Sequence, residues 1–252
     1  MSAFAQSETQ PDGTFSAESY FATQPPPPSL EHDIAKVREF VQRQLHAGRK
    51  VVLVTSGGTT RAGTLHTLTF VTVNDYLWLL RAVSQELSVL GRSSLYYLAA
   101  AVSDFFLPRQ KMSVHKIQSG KGSLHIEMDQ VPKILKPLVD EWTREGYIVS
   151  FKLETDPSLL IPKARTALAR YGHQVVIGND LHRRKHEVVF VSPKLVLASR
   201  PAPPPEDAET DDAYEESWLR IDGRADARKE IEEDIVAELT RRHWAWINMP
   251  QV

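Results

Sequence analysis

Five short stretches carry residue types that could act on an anionic substrate. Thr55-Ser56-Gly57-Gly58-Thr59-Thr60 sets two adjacent glycines among hydroxyls. Gly57 and Gly58 would let backbone N–H groups approach a phosphate closely, and the flanking hydroxyls add donors. The pattern is neither G-x-G-x-x-G nor a P-loop, and a tight turn out of a strand would use the same residues. In Ala99-Ala100-Ala101-Val102-Ser103-Asp104-Phe105, small side chains leave room for a planar ligand beside a carboxylate. Asp104 there could accept hydrogen bonds from an amino group or ribose hydroxyls, or could cap a turn. His115-Lys116-Ile117-Gln118-Ser119-Gly120 offers Lys116 to a phosphate, a carboxylate or solvent. Phe151-Lys152-Leu153-Glu154-Thr155 interleaves charged with apolar residues, and Gly178-Asn179-Asp180 adds a glycine, an amide and an acid.

Hydrophobic periodicity supplies the elements that position these residues. Leu30–His46 places Ile34, Val37, Val41 and Leu45 on one helical face, and Gly48 ends it. Lys50–Thr55 reads as a buried strand and Thr67–Val73 as strand-like, with Asn74 capping a helix from Asp75 to about Leu90. Strands follow at Leu95–Val102 and Leu124–Met128, then a helix near Val131–Trp142 with Pro132 in its first turn. A strand at Tyr147–Leu153, a helix at Pro157–Tyr171, strands at Gln174–Ile177 and Glu187–Val191 and an amphipathic helix at Ala225–His243 complete the pattern. Strands alternating with helices imply an α/β, Rossmann-like parallel sheet covered by helices on both faces, in three layers. In such sheets ligands bind outside the carboxyl ends of the strands, where the glycine loop and its companions fall.

The flanks read differently. Residues 1–28 are polar, end in Pro25–Pro28, and read as a disordered arm. Residues 29–252 then form a single domain interrupted by a Pro/acidic loop at 200–217, where Glu206–Glu216 holds seven acids and no base.

Composition narrows the function classes. Thirty Lys+Arg against 32 Asp+Glu give a net charge of −2, so no global basic field points to nucleic acid or an anionic membrane. The absence of cysteine from the 252 residues excludes disulfides, thiolate metal sites and a cysteine nucleophile. Leu95–Val102, the longest apolar stretch, is far short of the ~20 residues of a membrane helix. The opening residues have no secretory signal pattern, and the chain reads as soluble and cytoplasmic. His182 and His186 have a ligand-like spacing but no third ligand nearby, so no protein-held metal is expected. Arg183-Arg184-Lys185 reads as a solvated loop without the aromatic platform that nucleic acid would need. A dehydrogenase would need G-x-G-x-x-G and a Tyr-x-x-x-Lys pair, and neither is present.

Val51–Thr59 (VVLVTSGGT), Tyr97–Phe105 (YLAAAVSDF), His115–Ser119 (HKIQS), Val131–Leu135 (VPKIL) and Ser150–Asp156 (SFKLETD) together resemble the phosphopantothenate–cysteine ligase family, of the eukaryotic stand-alone type. The resemblance spans roughly Leu30–Pro193 and resumes more loosely over the last helix. It implies ligation of 4′-phosphopantothenate to L-cysteine in coenzyme A biosynthesis, with ATP or CTP as co-substrate, Mg2+ on the triphosphate, and a homodimer. It further implies that Gly57 and Gly58 line the nucleotide phosphates and that Ala100, Asp104 and Phe105 frame base and ribose. Lys116 would stabilise negative charge on the triphosphate or substrate carboxylate, Lys152 would contact phosphate, Phe151 would pack on the nucleotide, and Asn179 would complete the set.

One stretch departs from the family pattern. Between the glycine loop and the strand expected at Thr67 lie only a few residues, whereas a parallel crossover usually takes a dozen or more. The family carries a longer segment there with an Asn-Phe-Ser-Ser-Gly motif, which occurs nowhere in this chain. The expectation is a chain missing an internal segment after Thr60 and one crossover. Such a chain is either a working ligase or an impaired remnant that binds nucleotide or dimerises.

Overall fold

In the computed structural model, which describes residues 16–55, 65–113, 115, 117, 124–194, 213–221 and 230–250, each strand of the main sheet pairs with the next one in that sheet along the chain. Helices α1 (Ala17–Thr23) and α2 (Leu30–His46) precede β1 (Val51–Thr55). Helix α3 (Val73–Leu87) returns the chain to β2 (Ser94–Leu98), parallel to β1. A small antiparallel pair, β3 (Phe105–Phe106) and β4 (Asp129–Gln130), and the short α4 (Leu135–Pro137), continued by a wide turn to Trp142, come before β5 (Tyr147–Glu154). Then follow α5 (Pro157–Tyr171), β6 (Val175–Asp180), β7 (Glu187–Pro193), β8 (Tyr214–Arg220) and α6 (Ile231–Ile247). The main sheet runs β1-β2-β5-β6-β7-β8. Its first four strands are parallel, and the last two pair antiparallel.

The strands owe their order to burial on both faces. Val149, Val175 and Ile177 are fully buried, each contributing about 1.5–3 kcal/mol of transfer free energy. Helices α2 and α3 cover one face through Tyr96, Ile148, Leu77 and Leu80, and α5 extends that layer over Val176, Val189 and Val191. Helix α6 packs on the opposite face, its Ile231, Ile235 and Leu239 meeting Leu95, Val149, Ile177 and Phe190. Two glycines are needed where they stand. Gly172 adopts φ 68° and donates its N–H to the Leu168 carbonyl at 2.8 Å, ending α5. A Cβ on Gly178 would lie 2.8 Å from Val189 Cγ1 and 3.1 Å from Leu160 Cγ, so its absence lets α5 settle on β6.

Several expectations are corrected. No strand forms at Thr67–Val73, and residues 65–71 are in neither helix nor strand. The N-cap of α3 is Thr72 rather than Asn74. Asp75 N donates to Thr72 Oγ1 at 3.1 Å and Thr72 N to Asp75 Oδ2 at 3.0 Å, a reciprocal cap that commits the segment to helix. The crossover from β1 to β2 is therefore α3 itself, and β1 is the edge of the sheet. Val52 and Val54, on the α6 side, are 52% and 53% exposed there. The arm expected to be disordered contains α1, capped by Ser16 and anchored by Tyr20 at 0% exposure. Phe21 packs edge-on against Trp78 at 4.8 Å, with the Arg81 guanidinium 4.6 Å over its ring. The acidic loop expected to reach residue 217 gives way at Tyr214 to β8, where Glu216 pairs with Arg165 at 2.7 Å. Residues 124–128 are in neither helix nor strand, and only Asp129–Gln130 pairs, with Phe105–Phe106.

Candidate functional site

The parallel strands β1, β2, β5 and β6 all end at one edge of the sheet, and three helices begin there. Helices α3 and α5 start after β1 and β5. Helix α6 runs back across the sheet, its far end tied down where Trp246 Nε1 donates to the Glu145 carbonyl and Arg92 to the Met249 carbonyl. Helix N-termini carry partial positive charge, but here the chain's own carboxylates already answer it: Asp75 caps α3, Asp156 caps α5, and Glu232, Glu233 and Asp234 lie in the first turn of α6.

At this edge Thr55, 8% exposed, joins two strand ends: its Oγ1 accepts from Ala100 N at 3.2 Å, and it hydrogen-bonds the Tyr76 hydroxyl. Ala100 is thereby fixed at the exit of β2, half-buried. Asp104 is exposed, its carboxylate free to face solvent while its carbonyl accepts from Val131 N at 2.9 Å. Phe105, 52% exposed, opens β3. Phe151 meets Tyr97 edge-on at 4.9 Å, and burial, aided by the charge of Glu232, raises the Tyr97 phenol above its ordinary range.

Strand alternation sorts the remaining residues. Phe151 and Leu153 pair with Ile177 and Asn179, on the α6 face, whereas Lys152 pairs with Gly178, on the α5 face. Phe151 and Asn179 are thus brought together and Lys152 is turned to the other side of the strand. The amide oxygen of Asn179 is buried and has no hydrogen-bond partner among the described residues. Lys152 contributes to a neighbouring effect: His173, 1% exposed, has its imidazole pushed down to about 3, first by burial and then by the Lys152 charge. Gly57, Gly58 and Lys116 lie outside the described residues.

A cavity of about 550 Å3 opens beside the Ala101–Phe106 segment. Phe70, Val102, Phe105 and Met128 give it apolar walls, and Tyr20 and Asn74 supply its polar corner. Tyr20 donates to Asn74 Oδ1 at 3.0 Å and Asn74 Nδ2 donates to the Pro25 carbonyl at 2.9 Å. Burial, and then the Asp75 charge, pushes the Tyr20 phenol up to about 12, so it remains a donor at neutral pH. Neither residue stands out in the sequence: one sits in the polar arm, the other reads as a cap.

Residues 39–200 match the family described as DNA/pantothenate metabolism flavoprotein C-terminal domain. A human phosphopantothenate–cysteine ligase is 45% identical over 186 residues, which cover 74% of this chain and 54% of the human one. The chain belongs to the phosphopantothenate–cysteine ligase family. The family member CAB2 of Saccharomyces cerevisiae is 41% identical over 199 residues, covering 71% of this chain and 48% of the yeast one. A solved structure of a Cab2 mutant in complex with phosphopantothenate-cysteine superposes with a TM-score of 0.72 and 31% identity, over 91% of this chain and 98% of that one. A flavoprotein from Streptococcus pneumoniae, with 18% identity, a TM-score of 0.51 and coverage of 84% of this chain and 87% of that one, shares the fold. The chain spans about half the length of the sequence relatives it matches. No helix among the described residues is long and apolar enough to cross a membrane.

Proposed function

We propose that this member of the ligase family joins 4′-phosphopantothenate to L-cysteine at the expense of ATP or CTP. The observation that carries the reading is Asn179: a family-matched amide at the ligand edge whose buried oxygen has no partner among the described residues. A buried polar group left unpaired costs about 1–3 kcal/mol, which a ligand N–H or ribose hydroxyl would offset. In this reading Phe151 packs on the nucleotide, Gly57 and Gly58 line its phosphates, and Ala100, Asp104 and Phe105 frame base and ribose. The carboxylate of phosphopantothenate attacks the α-phosphorus, pyrophosphate leaves, and an acyl-nucleotidate forms. The cysteine amine then attacks the acyl carbon and the nucleoside monophosphate departs. Lys116 offsets the repulsion of carboxylate and triphosphate, the principal electrostatic obstacle to the first step, and Lys152 contacts phosphate from the face of β5 opposite Phe151. Mg2+ would enter on the phosphate oxygens and neutralise part of their charge. The cavity at Tyr20 and Asn74, with apolar walls and the hydroxyls and amides of Tyr20, Thr72, Ser103, Gln24 and Asn74, suits the pantothenate arm.

The working unit in this reading is a homodimer in the cytoplasm. Leu124, Ile126 and Met128 are 58%, 62% and 46% exposed and alternate with His125 and Glu127, a strand-like apolar row that a second copy would cover. Sedimentation of the chain and of Ile126→Glu tests this; monomer in both would refute it.

A second reading, a chain that binds nucleotide but does not turn over, is favoured by the exposed edge strand β1 and by the chain's length against its relatives. Pyrophosphate release with ATP and Mg2+, with and without phosphopantothenate and cysteine, separates the two. Release that depends on phosphopantothenate supports the ligase. Nucleotide binding without release supports the second reading.

A further inference from the structure

The basic run Arg183-Arg184-Lys185 reads from sequence as a solvated loop, but the fold puts it elsewhere. Residues 181–186 join β6 to β7. Because β6 is parallel to β5, this turn leaves the sheet at the same edge as Phe151 and Lys152, one strand spacing away. Leu181 N donates to the Glu154 carbonyl at 2.9 Å, stitching the turn to the end of β5.

The turn is built to a fixed shape. The Asp180 carboxylate, 9% exposed, accepts from His182 N at 2.7 Å and Arg183 N at 3.1 Å, and His186 N donates to the Arg183 carbonyl at 2.8 Å. Its charges are unequally committed. Glu187, 7% exposed, takes up both Arg183, at 3.1 Å, and Arg220, at 2.5 Å. Lys163 is held by Glu154 at 2.7 Å. Arg184 and Lys185, at the exposed apex, have no ion-pair partner among the described residues. Two adjacent cations thus project from a hydrogen-bonded turn at the strand-end edge, while the neighbouring Arg183, Arg220 and Lys163 are held by Glu187 and Glu154.

We propose that the β6–β7 turn is a polyphosphate-binding element, with Arg184 and Lys185 holding the outer phosphates of a ligand lodged at the strand ends. The proposal rests on the ligand-edge reading above and adds the group that takes the anion's distal charge. That charge is a nucleotide's β- and γ-phosphates or the phosphate monoester of the acid substrate.

Calorimetric titration of the full chain with inorganic tripolyphosphate, with ATP and Mg2+, and with 4′-phosphopantothenate tests this. The double variant R184A/K185A should bind tripolyphosphate roughly tenfold more weakly, since it loses two charge-assisted contacts. The swap R184K/K185R should stay near the parent, and the remote control K36A/R144A should be unchanged. All four substituted side chains are exposed, and thermal midpoints verify that each variant folds. A parallel loss for ATP assigns the turn to the triphosphate, and a loss for phosphopantothenate alone assigns it to that phosphate. Tripolyphosphate binding that depends on the turn, with no ATP binding by the parent, upholds the proposal and overturns the nucleotide reading. Unchanged binding in R184A/K185A, an equal loss in K36A/R144A, or no polyanion binding by the parent overturns the proposal; ATP binding that persists in R184A/K185A leaves the nucleotide reading standing.

Discussion

Acidification should destabilise this chain through His173 before most of its carboxylates titrate. The imidazole is 1% exposed, Nε2 is 2.8 Å from Ser150 Oγ, and Nδ1 is buried with no partner among the described residues. A second proton would sit on a ring with only one partner and with the Lys152 charge nearby, so burial first and Lys152 second push the folded-state value from 6.5 down to about 3. In the unfolded chain the ring protonates near 6.5. Between about 3 and 6.5 the unfolded state therefore binds more protons, and stability falls as the pH is lowered. His173's stabilising contribution is complete above 6.5 and is lost progressively down to about 3. At 1.36 kcal/mol per unit well below 6.5 and less near it, moving from pH 7.5 to pH 5 should cost about 2 kcal/mol, a large part of a typical domain's margin. His243 is also lowered, by burial, and adds to the slope, so the parent must be compared with a variant. His173→Gln keeps a hydrogen-bonding group toward Ser150 without the titration. Urea unfolding at pH 7.5, 6.5, 5.75 and 5 should show a steep decline in the parent and a shallower one in H173Q, the gap widening to about 2 kcal/mol at pH 5. Parallel declines would refute the reasoning, because the ring would then be gaining its proton without unfolding.

Three other perturbations follow from the packing. Phe151→Ala removes the ring that meets Tyr97 at 4.9 Å and should weaken nucleotide binding about tenfold by calorimetry. Gly178→Ala drives a methyl to 2.8 Å from Val189 Cγ1 and should cost about 1–3 kcal/mol, visible as a lower thermal midpoint; an unchanged midpoint would mean that α5 shifts freely. Thr72→Ala breaks the reciprocal cap of α3 and should cost about 1 kcal/mol in urea unfolding.

Much of the fold is written locally. The helix Pro157–Tyr171 is bounded by Asp156 and Gly172, one a capping side chain and the other a left-handed stop, and both signals sit in the sequence next to its ends. Thr67–Val73 misleads because alternating Thr with Leu, Phe and Val imitates a strand, while the stronger signal, Thr72 three residues before Asp75, lies at its end. Helix α1 is too short to show a period, and what orders it is distant: Trp78 and Asn74 against Phe21 and Tyr20. Strand β8 hides in an acidic run because an edge strand needs little apolar content, and its charges find Arg165 and Arg242 only after folding. For the site, the strand-end rule identifies the edge. The face each side chain takes depends on register, which separates Lys152 from Phe151 and Asn179 and which only pairing with β6 reveals.

The strand order β1-β2-β5-β6-β7-β8 means that, after β1, no strand of the main sheet waits for one made later before it can find its first neighbour. On a ribosome this amounts to building a wall from one end: each strand after the first that leaves the exit tunnel meets a partner already in place. Domains generally acquire structure from the N-terminus during synthesis, and connections between consecutive elements keep the loop-closure cost low. Only α6 must reach back across finished work, to Arg92 and Glu145. Until α6 emerges, one side of the nascent sheet stays bare, which makes the docking of that helix the step before which a half-made chain is most exposed to a chaperone or to another nascent copy.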